Sequence, residues 1–216
     1  MAFFGVIGLG RFGSNVARAL YERGEEVLAL DRDPERVEEV RPFVSQAVVA
    51  DCRDREALAA AALGDADAAV VSVGQEMEAS ILATLYLKEL GVRKIVAKAL
   101  TADHAKVLRR LGATEVVFPE RDMAYRLAER LSLPNVFEHF AVAEGFSAAE
   151  LLAPAPLAGR TLREAELRRR YGVTVVALRK QGGGVIVAPD GSERIEPGDV
   201  LVVIGPDEQI RAFERL

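Results

Sequence analysis

The chain has 216 residues, 28 Lys and Arg against 33 Asp and Glu, a formal charge of −5, half of its residues hydrophobic and 28% charged. That balance excludes a nucleic-acid-coating protein and describes an ordinary folded chain of one large or two small domains. The longest stretch without an acidic or basic side chain is residues 1–10, well short of the roughly 18 apolar residues that span a bilayer. Membrane insertion is therefore not expected. A secretory leader is not expected either, because the opening lacks a basic start and breaks at Gly8, Gly10 and Arg11. The expected location is the cytoplasm. A single Cys52 forms no intramolecular disulfide, and His104 and His139 are too far apart in sequence to suggest a Cys/His metal cluster.

In chain order, short apolar runs alternate with segments of helical period, the pattern of strands crossing over through helices into a parallel sheet. The apolar runs predict strands at Phe3–Ile7, Glu26–Leu30, Gln46–Ala50, Ala68–Val73, Lys94–Ala97 and Glu115–Phe118. Most are apolar on both faces, as expected when helices cover both sides of the sheet. Between them the periodicity predicts helices near Gly13–Arg23, Pro34–Val40, Asp54–Ala62, Met77–Leu90, Ala102–Leu111 and Arg121–Leu131, with Gly24, Gly91 and Gly112 as stops. This order makes an α/β, Rossmann-like doubly wound domain over residues 1–132.

Beyond it, Leu133-Pro134-Asn135 breaks the helical pattern and reads as the start of a linker into a small α+β lobe, residues 133–216. Val173–Leu178, Val185–Ala188 and Val200–Ile204 predict a mainly antiparallel sheet, turned at Gly182-Gly183-Gly184 and Pro189-Asp190-Gly191, with helices at Leu162–Arg170 and Asp207–Glu214. The patch Leu151–Pro156 reads as linker. So small a lobe buries a modest core and is expected to lean on a partner subunit or a ligand.

Directly after the first strand comes Gly8-Leu9-Gly10-Arg11-Phe12-Gly13, a full G-x-G-x-x-G opening a helix. The first glycine permits the tight turn, the second lets backbone approach a phosphate, and the third lets helix pack on strand, while the helix N-terminus offers N–H groups to an anion. Asp31 ends the second strand 18 residues after Gly13, placed to accept hydrogen bonds from ribose hydroxyls and to repel a 2′-phosphate. An adenine nucleotide is the expected ligand. Arg11, inside the loop, either reaches a third phosphate, which tilts the ligand toward ATP or ADP, or is a solvated surface arginine. Arg32 stacks on the adenine or faces water; Asp51-Cys52 contacts the base or Asp51 caps the next helix. Val73-Gly74 ends the fourth strand beside the cleft, and Lys98 after the fifth offers a cation to sugar or phosphates or is a plain surface charge. Glu120 either meets a metal ion bridged to a terminal phosphate or supplies favourable charge at a helix N-terminus.

An acid/base group with an anion-binding arginine, as a dehydrogenase needs beside its nicotinamide, does not stand out. His104, among charged neighbours in a helical run, and His139, in the linker, both read as solvated histidines. With neither a P-loop nor a nucleophile elbow in the sequence, the nucleotide reads as a signal and the chain as no enzyme.

The segment Phe4 to Gly13 resembles the opening of the RCK (regulator of potassium conductance) domains of Ktr- and Trk-type potassium-uptake regulators. Val49-Ala50-Asp51-Cys52 is similar to the third-strand motif of that family, though Cys52 stands where relatives often carry a small residue. Ile81–Leu90 and Phe118-Pro119-Glu120-Arg121-Asp122-Met123 resemble its fourth crossover helix and its signature after the sixth strand. In the tail, Leu157-Ala158-Gly159-Arg160-Thr161-Leu162, Tyr171-Gly172-Val173 and Pro197-Gly198-Asp199 are similar to the TrkA-type C-terminal regulatory lobe.

One copy of each lobe favours the single-copy Ktr-type subunit. The resemblance implies a cytosolic octameric ring of dimers under a separate membrane potassium-translocating subunit, with ATP and ADP competing for the first lobe. It implies that Gly8, Gly10, Arg11, Phe12 and Gly13 hold phosphates, Asp31 the ribose, and Asp51-Cys52 the adenine side. It further implies that Arg11 acts on the terminal phosphate across the dimer, that Glu120 lies near a divalent or sodium ion at the γ-phosphate, and that the second lobe takes a cyclic dinucleotide. A competing reading from another class is an NAD(H)-dependent oxidoreductase or NADH-responsive sensor using the same loop. Subunit contacts are expected on the Met77–Leu90 helix, whose Ile81, Leu82, Leu85 and Tyr86 share one face, a stripe that equally suits a core.

Overall fold

A computed structural model describes residues 1–73, 76–132 and 135–216. Gly74 of the expected site and Leu133-Pro134 of the expected break lie outside the described residues. The chain divides into two compact units, Met1–Asp122 and Met123–Leu216. That division falls inside a helix, Pro119–Ser132, whereas the sequence reading set the boundary at the end of that helix.

In the first unit, β1 (Phe3–Ile7), β2 (Glu26–Asp31), β3 (Gln46–Val49), β4 (Ala68–Val71), β5 (Lys94–Lys98) and β6 (Glu115–Val117) form a six-stranded sheet in the order β3-β2-β1-β4-β5-β6. Every pairing is parallel. Successive side chains alternate between faces. Val6, Val27, Ala29 and Val70 accordingly pack with α1 (Arg11–Glu22) and α2 (Pro34–Val40), through Ala17, Val37 and Val40. Ile7, Leu28, Leu30, Ala69 and Val71 pack on the other side with α3 (Arg55–Ala60), α4 (Met77–Glu89) and α5 (Ala102–Leu111). This two-sided burial is why the strands carry polar residues only at their ends.

Helix starts follow short polar side chains. Asp33 accepts from the Glu35 N–H at the head of α2, Asp54 from Glu56 and Ala57 at the head of α3, and Thr101 from His104 at the head of α5. Asp51, an alternative candidate for the α3 cap, does not fill that role: Asp54 does.

On α4, small side chains face the core. Ala79, Ser80, Ala83, Thr84 and Leu87 are buried, while the stripe of Ile81, Leu82, Leu85 and Tyr86 is half-buried, Ile81 and Tyr86 packing at the edge of the core. His104 on α5 is buried beside Ser80. The sequence reading of a solvated histidine is therefore wrong, because its charged neighbours occupy the outward side of the helix and His104 the inward one.

In the second unit, β7 (Val136–Ala143), β8 (Phe146–Leu152), β9 (Thr174–Arg179), β10 (Val185–Val187) and β11 (Val200–Pro206) form a sheet in the order β10-β9-β11-β8-β7. All its pairings are antiparallel. The segment read as linker is thus a strand hairpin, and the Leu151–Pro156 patch begins with the end of β8. Its strands were hidden because Phe137, Phe140 and Val142 of β7 point outward, blurring the alternation of a half-buried strand, and because β8 packs through Ala148 and Ala149. His139 sits in β7, its Nδ1 3.0 Å from Oε1 of the buried Glu214, so it is not a solvated linker residue. The helix expected over Leu162–Arg170 is two, α7 (Leu162–Ala165) and α8 (Leu167–Tyr171), parted at Glu166, which has a φ of 47°. With α9 (Asp207–Phe213) they cover a core that includes Leu151, Leu178, Leu201, Ile210 and Phe213.

Buried Asp199, in the turn before β11, gathers three donors: the N–H groups of Glu196 at 2.9 Å and Gln181 at 3.1 Å, and Lys180 Nζ at 2.9 Å. Burial opposes its charge, but those donors prevail and hold the carboxyl below its ordinary value. A carboxyl lowered on folding stabilises above its unfolded pKa and loses that contribution as pH falls through the folded value. Asp199→Ala, which strands three donors, is expected to lower the thermal midpoint at neutral pH by about 5 °C or more. Asp199→Asn is expected to flatten the decline in stability below about pH 4, which melting curves across pH will check.

Candidate functional site

The central strands end level: Ile7 pairs with Leu30 on one side and with Val71 on the other. The strand order reverses about β1, so the loops after β1 and β4 diverge and leave a crevice at their carboxyl ends. A cleft of about 600 Å³ occupies it.

The glycine loop forms its floor. Gly8 has a φ of +90° and donates its N–H to the Leu30 carbonyl at 2.8 Å. A Cβ at Gly8 would stand 2.8 Å from backbone atoms of Ser72, and one at Gly13 only 1.9 Å from the Gly8 carbonyl oxygen. Only glycine lets α1 start this close to β1. Gly10 differs: it lines the cleft, and a Cβ there meets no protein atom. No contact within the chain therefore demands glycine there. The first N–H groups of α1 have no intrahelical partner and carry the positive end of the helix dipole.

Gly8, Gly10, Arg11 and Phe12 all line the cleft, and Gly13 supports it from beneath. Asp31 is buried at the end of β2, with one carboxylate oxygen accepting from the Leu9 N–H at 2.6 Å and the other from the Asp33 N–H at 2.9 Å. A carboxylate offers about four acceptor positions, so two remain for donors from outside the chain.

Around the rim, charges are paired. Arg32 makes a 2.5 Å bond to Glu76, whose other oxygen lies 3.8 Å from Arg53. Arg53 in turn grips Asp51 at 2.6 Å and donates its backbone N–H to it. The Arg53 hydrogen bonds lower the Asp51 carboxyl to about 2, so Asp51 is ionised at any physiological pH. Arg36 lies 3.7 Å from Asp31.

Lys98, most of its side chain buried, pairs with Glu120, and that hydrogen bond lowers the Glu120 carboxyl. Lys98 is therefore a cleft residue and not a plain surface charge. Glu120 both lines the cleft and stands in the first turn of α6 (Pro119–Ser132). Arg11 is the lining cation without an ion-pair partner among the described residues, which leaves its guanidinium open to an anion.

Of the residues expected from sequence, the cleft also gathers Arg32, Asp51, Cys52 and Val73. Residues the sequence reading missed are Arg36, Ser72, Glu76, Ala79 and Leu100. Ser72 adjoins Val73 in sequence and could have been found with it, whereas Arg36, Glu76, Ala79 and Leu100 reach the cleft through the switch-point geometry. Among the described residues, no cluster of three or more His, Cys, Asp or Glu is arranged to hold a metal ion.

The thiol of Cys52 is buried, with Sγ 3.9 Å from the Ala79 carbonyl. Burial and then the Asp51 charge push it up to about 11. In the native protein at pH 8, iodoacetamide is expected to label Cys52 at least about 100-fold more slowly than after denaturation, as a timed thiol assay will show.

Residues 4–119 match the TrkA-N domain and residues 147–216 the TrkA-C domain. The chain is 43% identical over 212 residues to the Ktr system potassium uptake protein C of Bacillus subtilis, covering 98% of this chain and 96% of that protein. It is 40% identical over 207 residues to the Ktr system potassium uptake protein A of Vibrio alginolyticus, covering 96% and 94%.

Among solved structures, the GsuK RCK domain has the same fold, with a TM-score of 0.53 at 23% identity over 99% of this chain and 46% of that one. The Shewanella denitrificans Kef CTD in its AMP-bound form matches with a TM-score of 0.52 at 27% identity over 61% of this chain and 81% of that one. With two domain matches in chain order and relatives aligned along nearly their whole length, the chain belongs to the family of Ktr system potassium uptake proteins, a TrkA-N domain followed by a TrkA-C domain.

Proposed function

We propose that this chain is the cytosolic, nucleotide-binding regulatory subunit of a potassium uptake system. The observation that carries the reading is the glycine-floored cleft with buried Asp31 at its ribose end, in a chain whose relatives are Ktr potassium uptake proteins. In this reading residues 1–132 bind ATP or ADP in competition, and residues 133–216 form the regulatory lobe, where a cyclic dinucleotide is a second effector. The AMP-bound form of the Kef structure supports an adenylate as the recognised group, a moiety that ATP, ADP and NAD(H) share.

The α1 N-terminus and the loop amides take the phosphates, Asp31 the ribose hydroxyls and Asp51-Cys52 the adenine side. Arg11 takes the terminal phosphate across a subunit boundary. Lys98 and Glu120 meet the far phosphate, and Glu120, released from Lys98, holds a divalent or sodium ion there. The reading assigns no chemical step to the chain. The nucleotide acts only through its different affinity for two ring conformations. Driving a two-state equilibrium from 1:99 to 99:1 takes about a 10⁴-fold preference in all. In an octamer built of dimers, with one site per chain, that is roughly threefold per site, which a single terminal phosphate supplies. The ring sits on the inner face of the membrane through a potassium-translocating partner, without inserting.

Titration calorimetry of the nucleotide-stripped protein with ATP, ADP, NADH and NAD, with light scattering on each complex, tests the reading. Competitive binding of ATP and ADP to a large ring is expected. Preference for NADH alone, on a dimer, would replace the reading with a redox sensor or oxidoreductase. Asp31→Ala is expected to weaken both adenine nucleotides at least tenfold in a folded protein. Arg11→Ala is expected to weaken ATP several-fold more than ADP, and equal effects would remove Arg11 from the terminal phosphate.

A further inference from the structure

Buried between α4 and α5 lies a polar chain that the nucleotide contacts leave unused. His104, Ser80 and Thr84 are each at most 1% exposed. Burial of polar groups is costly unless each is bonded, and here each is. The His104 backbone N–H donates to Thr101 Oγ1 at 3.1 Å, fixing its place in the first turn of α5. Its ring then faces two walls of the cleft. The Leu100 N–H donates to Nδ1 over 3.4 Å, and Nε2 lies 2.7 Å from Ser80 Oγ.

Because Nδ1 accepts, the ring proton sits on Nε2 and is given to Ser80 Oγ, whose own proton goes to the Met77 carbonyl at 3.1 Å. The chain runs one way, from the segment after β5 through α5 into the first turn of α4. Burial lowers the His104 pKa and keeps the ring neutral, the form this direction requires.

One end of the chain is a cleft wall, since Leu100 lines it directly; towards the other end, Ser80 is the sequence neighbour of Ala79, which lines the cleft from α4. On its other side the same segment is pinned by the Ala99 N–H to the Val117 carbonyl of β6 at 3.0 Å. Lys98, which pairs with Glu120, lies two residues before Leu100.

We infer that His104 is a positioning residue of the nucleotide site, its neutral ring setting the spacing of the Ala79 and Leu100 walls and the placement of the Lys98 segment. The inference rests on the nucleotide reading above and deepens it. It touches no ligand and acts through Leu100 and Ser80.

The two bonds are separable by substitution. In His104→Asn the side-chain oxygen takes the place of Nδ1 and retains the Leu100 bond. In His104→Gln the terminal amide takes the place of Nε2 and retains the Ser80 bond. His104→Ala retains neither. On the full chain, ATP and ADP affinities by calorimetry and the ligand-free thermal midpoint are measured for all three.

The expected result is an ATP affinity about tenfold weaker for Ala and Gln, restored to within about threefold of the unaltered protein by Asn, although Asn and Gln lose similar thermal stability. Unchanged affinity in Ala, or affinities that simply track the thermal midpoints, would make His104 a packing residue and overturn the inference. If the Ala variant does not fold, the contrast between Asn and Gln decides alone. Failure of the unaltered chain to bind ATP or ADP would sink the nucleotide reading, and the inference with it. Normal binding by the unaltered chain without the Asn and Gln contrast sinks the inference only.

Discussion

The close approach of α1 to the end of β1 is the constraint on which the rest of the first unit depends. Gly13 leaves no room for a Cβ above the Gly8 carbonyl, and Gly8 leaves none beside Ser72. With those contacts in place, the amide of Gly8 reaches Leu30 and the amide of Ser72 reaches Ile7, and the three central strands end together. The helix then begins with its unpaired N–H groups over the crevice. Moving α1 outward by the width of a methyl group would separate those N–H groups from the Asp31 carboxylate, which is itself tied to the loop through Leu9. Fold and site therefore rest on the same contact.

The electrostatics of the cleft follow from a chain that is acidic overall. Arg32, Arg36 and Lys98 line it, yet each faces a carboxylate, of Glu76, Asp31 and Glu120 respectively. Such paired charges can exchange partners when an anion enters. Rim pairs as exposed as Arg32 and Glu76 contribute little to stability, so their placement has more to do with what enters the cleft than with holding the fold. The bonds that do hold its walls are buried and few: the Asp31 carboxylate on backbone N–H groups, and the His104 chain between α4 and α5.

Much of the first unit was legible because its local and long-range requirements coincide. Two-sided burial makes the strands read as continuous apolar runs, and the G-x-G-x-x-G spacing means something only between a strand and a helix. Phe3–Ile7, Pro34–Val40 and Ala102–Leu111 lie where periodicity placed them. The second unit was less legible for the converse reason. Strand β7 carries Phe137, Phe140 and Val142 outward, and β8 buries small side chains, so neither shows the alternation by which a half-buried strand is recognised. The left-handed Glu166 that parts α7 from α8 has no local signature at all.

By itself the sequence determined the parallel architecture, the glycine floor, the acid at the end of β2 and the kinship that the two domain matches express, because each is written in residue type at short range. Only the tertiary structure decided which charges meet. Glu76, Arg36 and Leu100 come from different crossovers and converge on the cleft only because the strand order reverses at β1. It also decided the two histidines: His104 lies buried on the inward side of α5 and His139, half-buried, beside Glu214, each placed by elements distant in sequence. A side chain's neighbours across a sheet switch point or between two helices are set by packing, and packing of that range leaves no periodic trace in the chain.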